Sequence, residues 1–570
     1  MNALGRLIIA LVATGVAAWA AAPTLGQEAD PGQPDSDPPS RAARLSYLEG
    51  SVSLQPAGVE DWNAAPLNQP LTAGDALWSD SGSHAEADLG SAVVRLDENS
   101  SVALLDLSDQ GVQLRVSAGA VDVDVNALDA DEAFEIDAPN AAVLLLRAGK
   151  YRLSIDSNGN TSVDIRSGQA RVASGDQQPM TLVTGQHGLY SDNGSYAVTH
   201  VGPPDDFDRW CQQRQVRWAD QQQAAAQYVS TDVVGYEDLN DNGQWQTEPD
   251  YGNVWFPAQV SADWAPYSAG HWVWVAPWGW SWVDDAPWGF APFHYGRWGH
   301  FGRRWGWIPA PPHRHAIYAP ALVAWVGGSA VSLGGGAAVG WLPLAPGEVY
   351  VPAYRVSPRY LQNVNTSNTN GLNAADVINV SRNPGRPYRY ANRVVPSALT
   401  VVPQVNFSAG QPVARHTISA PPQFAAATLS ARTPTIIPGR ESVLGPVALG
   451  HVSRPPAAIL GRPVMTRRQP PPAAPRFEVQ QSAIRANGGS PLDAGQLQHL
   501  RAQDTPVVRP MPAASASALP ERAPQFQASP QAMGPNVFQR RDRELQQQHE
   551  QRQQQQQQFQ LQQQQRPQHQ

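Results

Sequence analysis

The sequence is short of cysteine, lysine and charge, and each shortage excludes something. Cys211 is the only cysteine in 570 residues, so an intramolecular disulfide framework, a multi-cysteine zinc site and an iron–sulfur cluster are all excluded. Lys150 is the only lysine, which removes nearly every Schiff-base candidate and leaves the positive charge to arginine. Charged residues make up 16% of the chain, a profile unlike that of a coiled coil. Past the N-terminus there is no second long apolar run, which argues against a polytopic membrane protein. The P-loop, the dinucleotide fingerprint, HExxH and the serine elbow are missing too. The reading is therefore of a non-enzymatic protein with no cofactor and no metal.

What is present is proline, glycine and tryptophan, at 52, 47 and 19 residues. Charge is also unevenly placed. Residues 41–200 carry a net −13 and residues 201–350 a net −7, whereas residues 351–570 carry +14. A basic tail behind an acidic front points to anionic envelope polymers or to the front half itself, or is simply a solvated arginine-bearing tail.

Met1–Ala22 reads as an export signal, with Arg6 before an apolar run and small residues at Ala20 and Ala22. An uncleaved anchor is the alternative. No cysteine follows the run, so no lipid anchor is expected. The protein is expected in the periplasm or outside the cell, with no membrane span after cleavage. Residues 23–44, rich in proline and polar groups, read as a disordered linker.

Residues 45–200 alternate apolar and polar side chains with period 2, as in Val112–Val116, Val121–Val125 and Val163–Arg166, with Gly, Asn and Asp turns between. This predicts an all-β domain. The phrases Leu71–Trp78 (LTAGDALW), Ser81–Leu89 (SGSHAEADL), Val94–Ser100 (VRLDENS), Ala118–Val121 (AGAV) and Phe134–Asn140 (FEIDAPN) resemble a FecR-type periplasmic domain over about residues 45–175. The resemblance implies a β-solenoid or roll. In iron-sensing members such a module passes a receptor signal to a sigma factor through a membrane span and a cytoplasmic helical domain. Here only five residues precede Arg6, and Arg147–Tyr151 (RAGKY) replaces the family's Gly-Thr-x-Phe phrase. The expectation is of a FecR module without its own anti-sigma domain.

Residues 203–232 predict a connecting helix capped at Asp205 or Asp206, with Phe207, Trp210, Cys211, Arg214 and Trp218 near one face. Cys211 is read there as a small buried hydrophobe.

Residues 233–365 form a tryptophan-rich β-repeat domain. Ala265–Trp272 (APYSAGHW) matches Ala291–Trp298 (APFHYGRW), and Trp278-Gly-Trp280 matches Trp305-Gly-Trp307. The stretch resembles the uncharacterised Trp-rich domain found downstream of FecR-like modules in bacterial envelope proteins. Its indoles serve either as core volume or as a platform for sugar rings. Thirteen tryptophans between 255 and 341 are hard to bury in so short a segment. Exposure is therefore expected next to turns, at Trp278, Trp288 and Trp305, with Asp284 and Asp285 as hydrogen-bonding partners for cell-wall glycan.

Asp284-Asp285 also has the look of a glycosidase acid pair, although adjacent carboxylates more often serve a turn. His313 and His315 flank one residue in a proline-rich loop, and His294 and His300 lie close in sequence. Without neighbouring carboxylates they are not expected to bind metal. Asp238–Gly243 has the start of a calcium loop but Pro249 at its twelfth position, so a polar turn is expected. Residues 396–570, rich in Pro, Arg and Gln, are expected to be disordered, with a transient helix at 540–552. The whole reads as a mainly β envelope protein that binds or scaffolds an unidentified envelope polymer or protein. A FecR-like signalling regulator and a wall-directed hydrolase are the alternatives, and nucleic acid is not an expected partner.

Overall fold

The computed structural model describes residues 37–310, 315–326, 331–333, 336–384, 388–420, 429–431, 433–446 and 452–503, all within one compact unit. The export signal, most of the linker and the tail beyond Gln503, including the helix expected at 540–552, lie outside the described residues.

The alternation in residues 45–200 folds as expected into strands, and these make two facing sheets. Val, Leu, Ile and Ala at every second position fill the space between, with Val94, Val121, Val123, Leu153, Val163 and Ile165 all buried. One face runs in the order Ala43–Glu49, His84–Asp88, Ala92–Leu96, the second half of Gly111–Val125, Gly149–Ile155, Thr161–Ser167, Gln186–Tyr190 and Tyr196–His200. The other face carries the first half of Gly111–Val125, which pairs with Ser100–Ser108 and, in parallel, with Ala133–Ala138. The long strand crosses between faces at Gly119, whose φ is +76°. A side chain there would strike Ser100, so the corner needs glycine.

The domain begins two residues earlier than the linker boundary allowed, because Ala43–Glu49 is a strand. Arg44, read as linker, is fully buried. Its Nε donates to Asn68 Oδ1 at 3.0 Å, and its terminal nitrogens reach Asp238 at 2.6 Å, Glu237 at 3.4 Å and the Pro287 carbonyl at 2.7 Å. Asn68 in turn donates to the carbonyls of Asp284 and Ala286. A buried polar network thus joins the β roll to the tryptophan-rich segment, and every member has a partner.

The sequence repeat becomes two hairpins. Gly270–Val275 pairs with Gly279–Asp284 in the register Trp272↔Trp282 and Trp274↔Trp280. Arg297–Phe301 pairs with Arg304–Ile308 in the register Trp298↔Trp307 and His300↔Trp305. Trp272 is the hub of the core, with ring centroids 5.4 Å from Trp282, 5.3 Å from Trp341, 4.9 Å from Trp325 and 5.4 Å from Phe407. Several indole N–H groups donate to backbone carbonyls: Trp255 to Leu239, Trp298 to Pro292 and Trp307 to Tyr295, each at 2.8 Å. That removes much of the polar cost of burying so many.

The disorder expected from residue 396 is corrected as far as residue 503. Thr400–Pro403 pairs with Gly336–Pro343, Leu429–Ser430 pairs with Val323–Val326, and Phe477–Ala486 and Ala494–Gln503 are helices. Phe407, Val413, Ile436, Val443, Phe477 and Ile484 join the tryptophan core. The first four bury one at a time between prolines, without periodicity, and Phe477 and Ile484 stand seven apart on one short helix, so a pattern search passes over them. Their anchoring covers the second face of the first hairpin, all of whose residues are buried.

Candidate functional site

The outward side of the roll's first sheet carries a row of charge. Glu86, Arg95, Asp122, Arg152, Asp164 and His187 sit opposite one another in register across six neighbouring strands. Acid and base alternate along the whole row. Every member but His187 lies between two inward apolar residues, as Asp122 does between Val121 and Val123, so the row is the polar half of the strand alternation. Arg95 Nε reaches Glu86 at 2.8 Å and its Nη1 reaches Asp122 at 3.3 Å, while His187 Nδ1 lies 2.5 Å from Asp164. Cross-strand pairs of opposite sign stabilise a sheet locally.

A helix lies on this row. Helix α1, Asp206–Ala225, starts at an Asp205 N-cap that accepts from the Asp208 amide, and Asp208 accepts from the Asp205 amide in return. The same carboxylates bind the sheet: Arg152 reaches Asp205 at 2.7 Å and Asp208 at 2.9 Å, and Arg166 reaches Asp208 at 2.5 Å. About two turns on, Arg214 reaches Glu86 at 3.0 Å and Arg95 donates to Gln215 at 2.8 Å. Between the two ionic ends, Phe207 and Cys211 pack on Ala120, and Trp210 stacks on His84 at 4.7 Å. The expected packing face of this helix is thus borne out at Phe207, Trp210, Cys211 and Arg214.

Burial and charge act against each other along the row. Burial would raise the Glu86 carboxyl, but Arg95 and Arg214 outweigh it and hold the group below its usual value. At Asp122 burial wins over Arg95, and the pKa is pushed up to about 6. Between pH 3.8 and about 6 the folded protein therefore keeps a proton that the unfolded chain has lost, and this group's contribution to stability falls as pH rises. Urea midpoints should show it. The advantage of wild type over Asp122→Asn is expected to shrink from pH 4 to pH 6 and then level off; an advantage that grows over that interval contradicts the assignment.

Cys211 is 5% exposed, and burial drives its thiol far above the usual range. It should not react with a maleimide while α1 is docked. In Arg152→Ala, which loses two ion pairs to the helix, labelling is expected to appear. Labelling of the native wild type at the rate of a free thiol would show that α1 does not stay on the sheet.

The residues picked out for glycan binding are placed otherwise. Trp278, Trp288 and Trp305 are 1%, 4% and 5% exposed, which corrects the expectation of a platform. Trp288 packs edge-on against Trp255 and stacks on Phe293, and Trp305 meets His300 across its hairpin. Asp284 is buried, accepting from Trp282 Nε1 and from the Ala286 amide at 3.0 Å each, and burial holds its carboxyl well above the usual range. Asp285, next to it, is exposed. The pair forms a turn rather than an acid pair. His294 is a buried core residue with Nδ1 2.9 Å from the Ala319 carbonyl, and burial lowers its pKa to about 3. His315 meets Asp232 and Ser40; His313 lies outside the described residues. The calcium-like phrase is a helical turn, in which Asp238 binds Arg44 and Asp241 meets Arg217. No group of three or more potential metal ligands occurs among the described residues.

The phrases that suggested a FecR-type module lie in strands and turns of the roll, on both sides of the charged row. Residues 75–175 match the FecR protein family. The chain carries a FecR domain. Residues 236–348 match a second family, described as a family of unknown function (DUF6600), so the two resemblances read from the sequence hold in the same order. The FecR domain as folded runs from Ala43 to His200, beyond both ends of the match. Two crystal structures of proteins from Parabacteroides distasonis, each provisionally described as an anti-sigma factor, resemble part of the chain. One is 15% identical with a TM-score of 0.20, covering 22% of this chain and 59% of its own. The other is 13% identical with a TM-score of 0.22, covering 32% of this chain and 99% of its own. No curated protein matches.

The charged row of the FecR domain was legible in part. A single charge set between two apolar residues recurs at Glu86, Arg95, Asp122, Arg152 and Asp164, but their alternation in sign shows only once the register is known.

Proposed function

We propose that this is an exported, non-enzymatic regulator of the FecR type, which acts by binding another envelope protein. The partner adds a strand to the free edge of the FecR domain. The observation that carries this reading is the last strand of the FecR domain, Tyr196–His200, which among the described residues pairs only with Gln186–Tyr190 and is exposed at every residue. Ser191 donates to the Ser195 carbonyl and Val201 to the Gly185 carbonyl. By the alternation of an antiparallel ladder, the backbone groups of Tyr196, Val198 and His200 point outward. Tyr196 and Val198, two large apolar side chains exposed on the surface, lie on one face of this strand. Unpaired backbone beside apolar side chains is the arrangement used for strand addition.

The export signal read from residues 1–22 and the FecR match both support a place in the envelope. The charged row engages its own neighbours and α1, so we assign it a structural role and no reaction. Scaffolding on wall glycan is the weaker reading, because Trp278, Trp288 and Trp305 have no ring face to offer.

The test is in-cell photo-crosslinking with benzoylphenylalanine in place of Tyr196. A discrete adduct in the envelope fraction is expected, and Val198→Pro, which removes an outward N–H, should abolish it while leaving the fold intact. No adduct, or the same adduct with Val198→Pro, overturns the proposal.

A further inference from the structure

A cavity of about 550 Å³ lies where the FecR domain, the first tryptophan hairpin and the last two helices meet. Its wall includes Leu54 from the FecR domain, Trp274 from the first strand of the hairpin and Trp278 from its turn, and Phe477 and Leu497 from the helices. Most of this wall is apolar, and the volume is that of a small-molecule site at a junction between modules. On the helix Ala494–Gln503, the residues Ala494, Leu497 and Arg501 follow one another at spacings of three and four and so face the cavity together.

The polar groups in the wall are unequally matched. Asp75 accepts from the amides of Ala57 and Thr72 at 2.8 Å each. Asp493 caps the last helix by accepting from the Gln496 amide and lies 3.5 Å from Arg355. Asp106 meets Arg468, Asp109 accepts from Ser40, and Arg41 pairs with Glu132. Arg501 differs. Its Nε donates to the Ala473 carbonyl at 3.1 Å, no described carboxylate is within ion-pair reach, and partial burial alone pulls its pKa down. A half-buried guanidinium without a counter-ion, beside an apolar cavity, is complementary to an acid group on an apolar body.

We propose that this cavity binds a single-chain amphiphile with a carboxylate head, its alkyl chain between Trp274, Phe477 and Leu497 and its head on Arg501. The site is separate from the strand edge at Tyr196–His200, and its occupancy does not depend on a protein partner.

The test is isothermal titration of the full chain with dodecanoate, below its micelle concentration, and with dodecanol as the uncharged analogue. One dodecanoate per chain is expected. Arg501→Gln should weaken dodecanoate binding about tenfold, the scale of one charge-assisted contact, and leave dodecanol unchanged. Leu497→Trp, which fills the cavity, should abolish both. Arg501 lies on a half-exposed helix face, so its variant should keep the wild-type urea midpoint. No stoichiometric binding of dodecanoate overturns the proposal, as does equal binding of dodecanoate by wild type and Arg501→Gln.

Discussion

Arg44→Ala is expected to destabilise the protein by about 3–5 kcal/mol, the cost of removing one partner from a buried ionic network. Arg44 has no solvent exposure, and Asp88 and Glu237 beside it are buried as well. With the guanidinium gone, only backbone hydrogen bonds oppose burial at carboxyls it already raises: Asp88 stands at about 6 and Glu237 well above its usual value. The unfolded chain would ionise these groups at ordinary values while the folded variant resists. The loss should therefore be greater at pH 8 than at pH 5. Arg44 also donates to the Pro287 carbonyl across the module boundary, so the damage should reach both sides of the junction. Urea unfolding at the two pH values measures this. A loss under 1 kcal/mol, or one independent of pH, contradicts the network as described.

The second large effect is expected at Trp272. Its ring is 1% exposed and touches Trp282, Trp325, Trp341 and Phe407, so truncation to alanine leaves a cavity that four rigid rings cannot close. A loss of about 3–5 kcal/mol follows from lost transfer energy and cavity together. Trp272→Phe keeps much of the packing and should recover a good part of it. Phe407 comes from the segment after residue 396, so Trp272→Ala should also loosen residues 404–445, seen as faster amide exchange there. Unchanged exchange in that segment would mean that it rests on the core without depending on it.

The alternation in residues 45–200 made the FecR domain legible, because a roll with one inner face writes its core into every second residue. The paired phrases around Trp272 and Trp298 likewise made the two hairpins legible. Arg44 was not, since an arginine next to a proline-rich stretch looks solvated until its partners at Asn68, Glu237 and Asp238 are known. Trp278, Trp288 and Trp305 were misread because aromatic partners inside the segment itself bury them: Trp278 against Tyr318, Trp288 among Trp255, Trp264 and Phe293, and Trp305 against His300. Cover from outside the segment reaches the first hairpin, where Trp280 meets Phe407 and donates to the Ile436 carbonyl. The free edge at Tyr196–His200 was hidden for a different reason: an edge strand has the same local pattern as a central one, and only pairing distinguishes them.

The FecR domain and the tryptophan-rich domain form one body, joined through Arg44 and Asn68 and strapped by the segment after residue 396. Hydrogen exchange followed by mass spectrometry along a urea series measures whether the two unfold together. Peptides from Gly111–Val125 and from Gly270–Asp284 are predicted to lose protection at one shared midpoint, and Arg44→Ala should move both down together. Two separated midpoints in the wild type, or a shift confined to one peptide in the variant, would show two domains that fold independently.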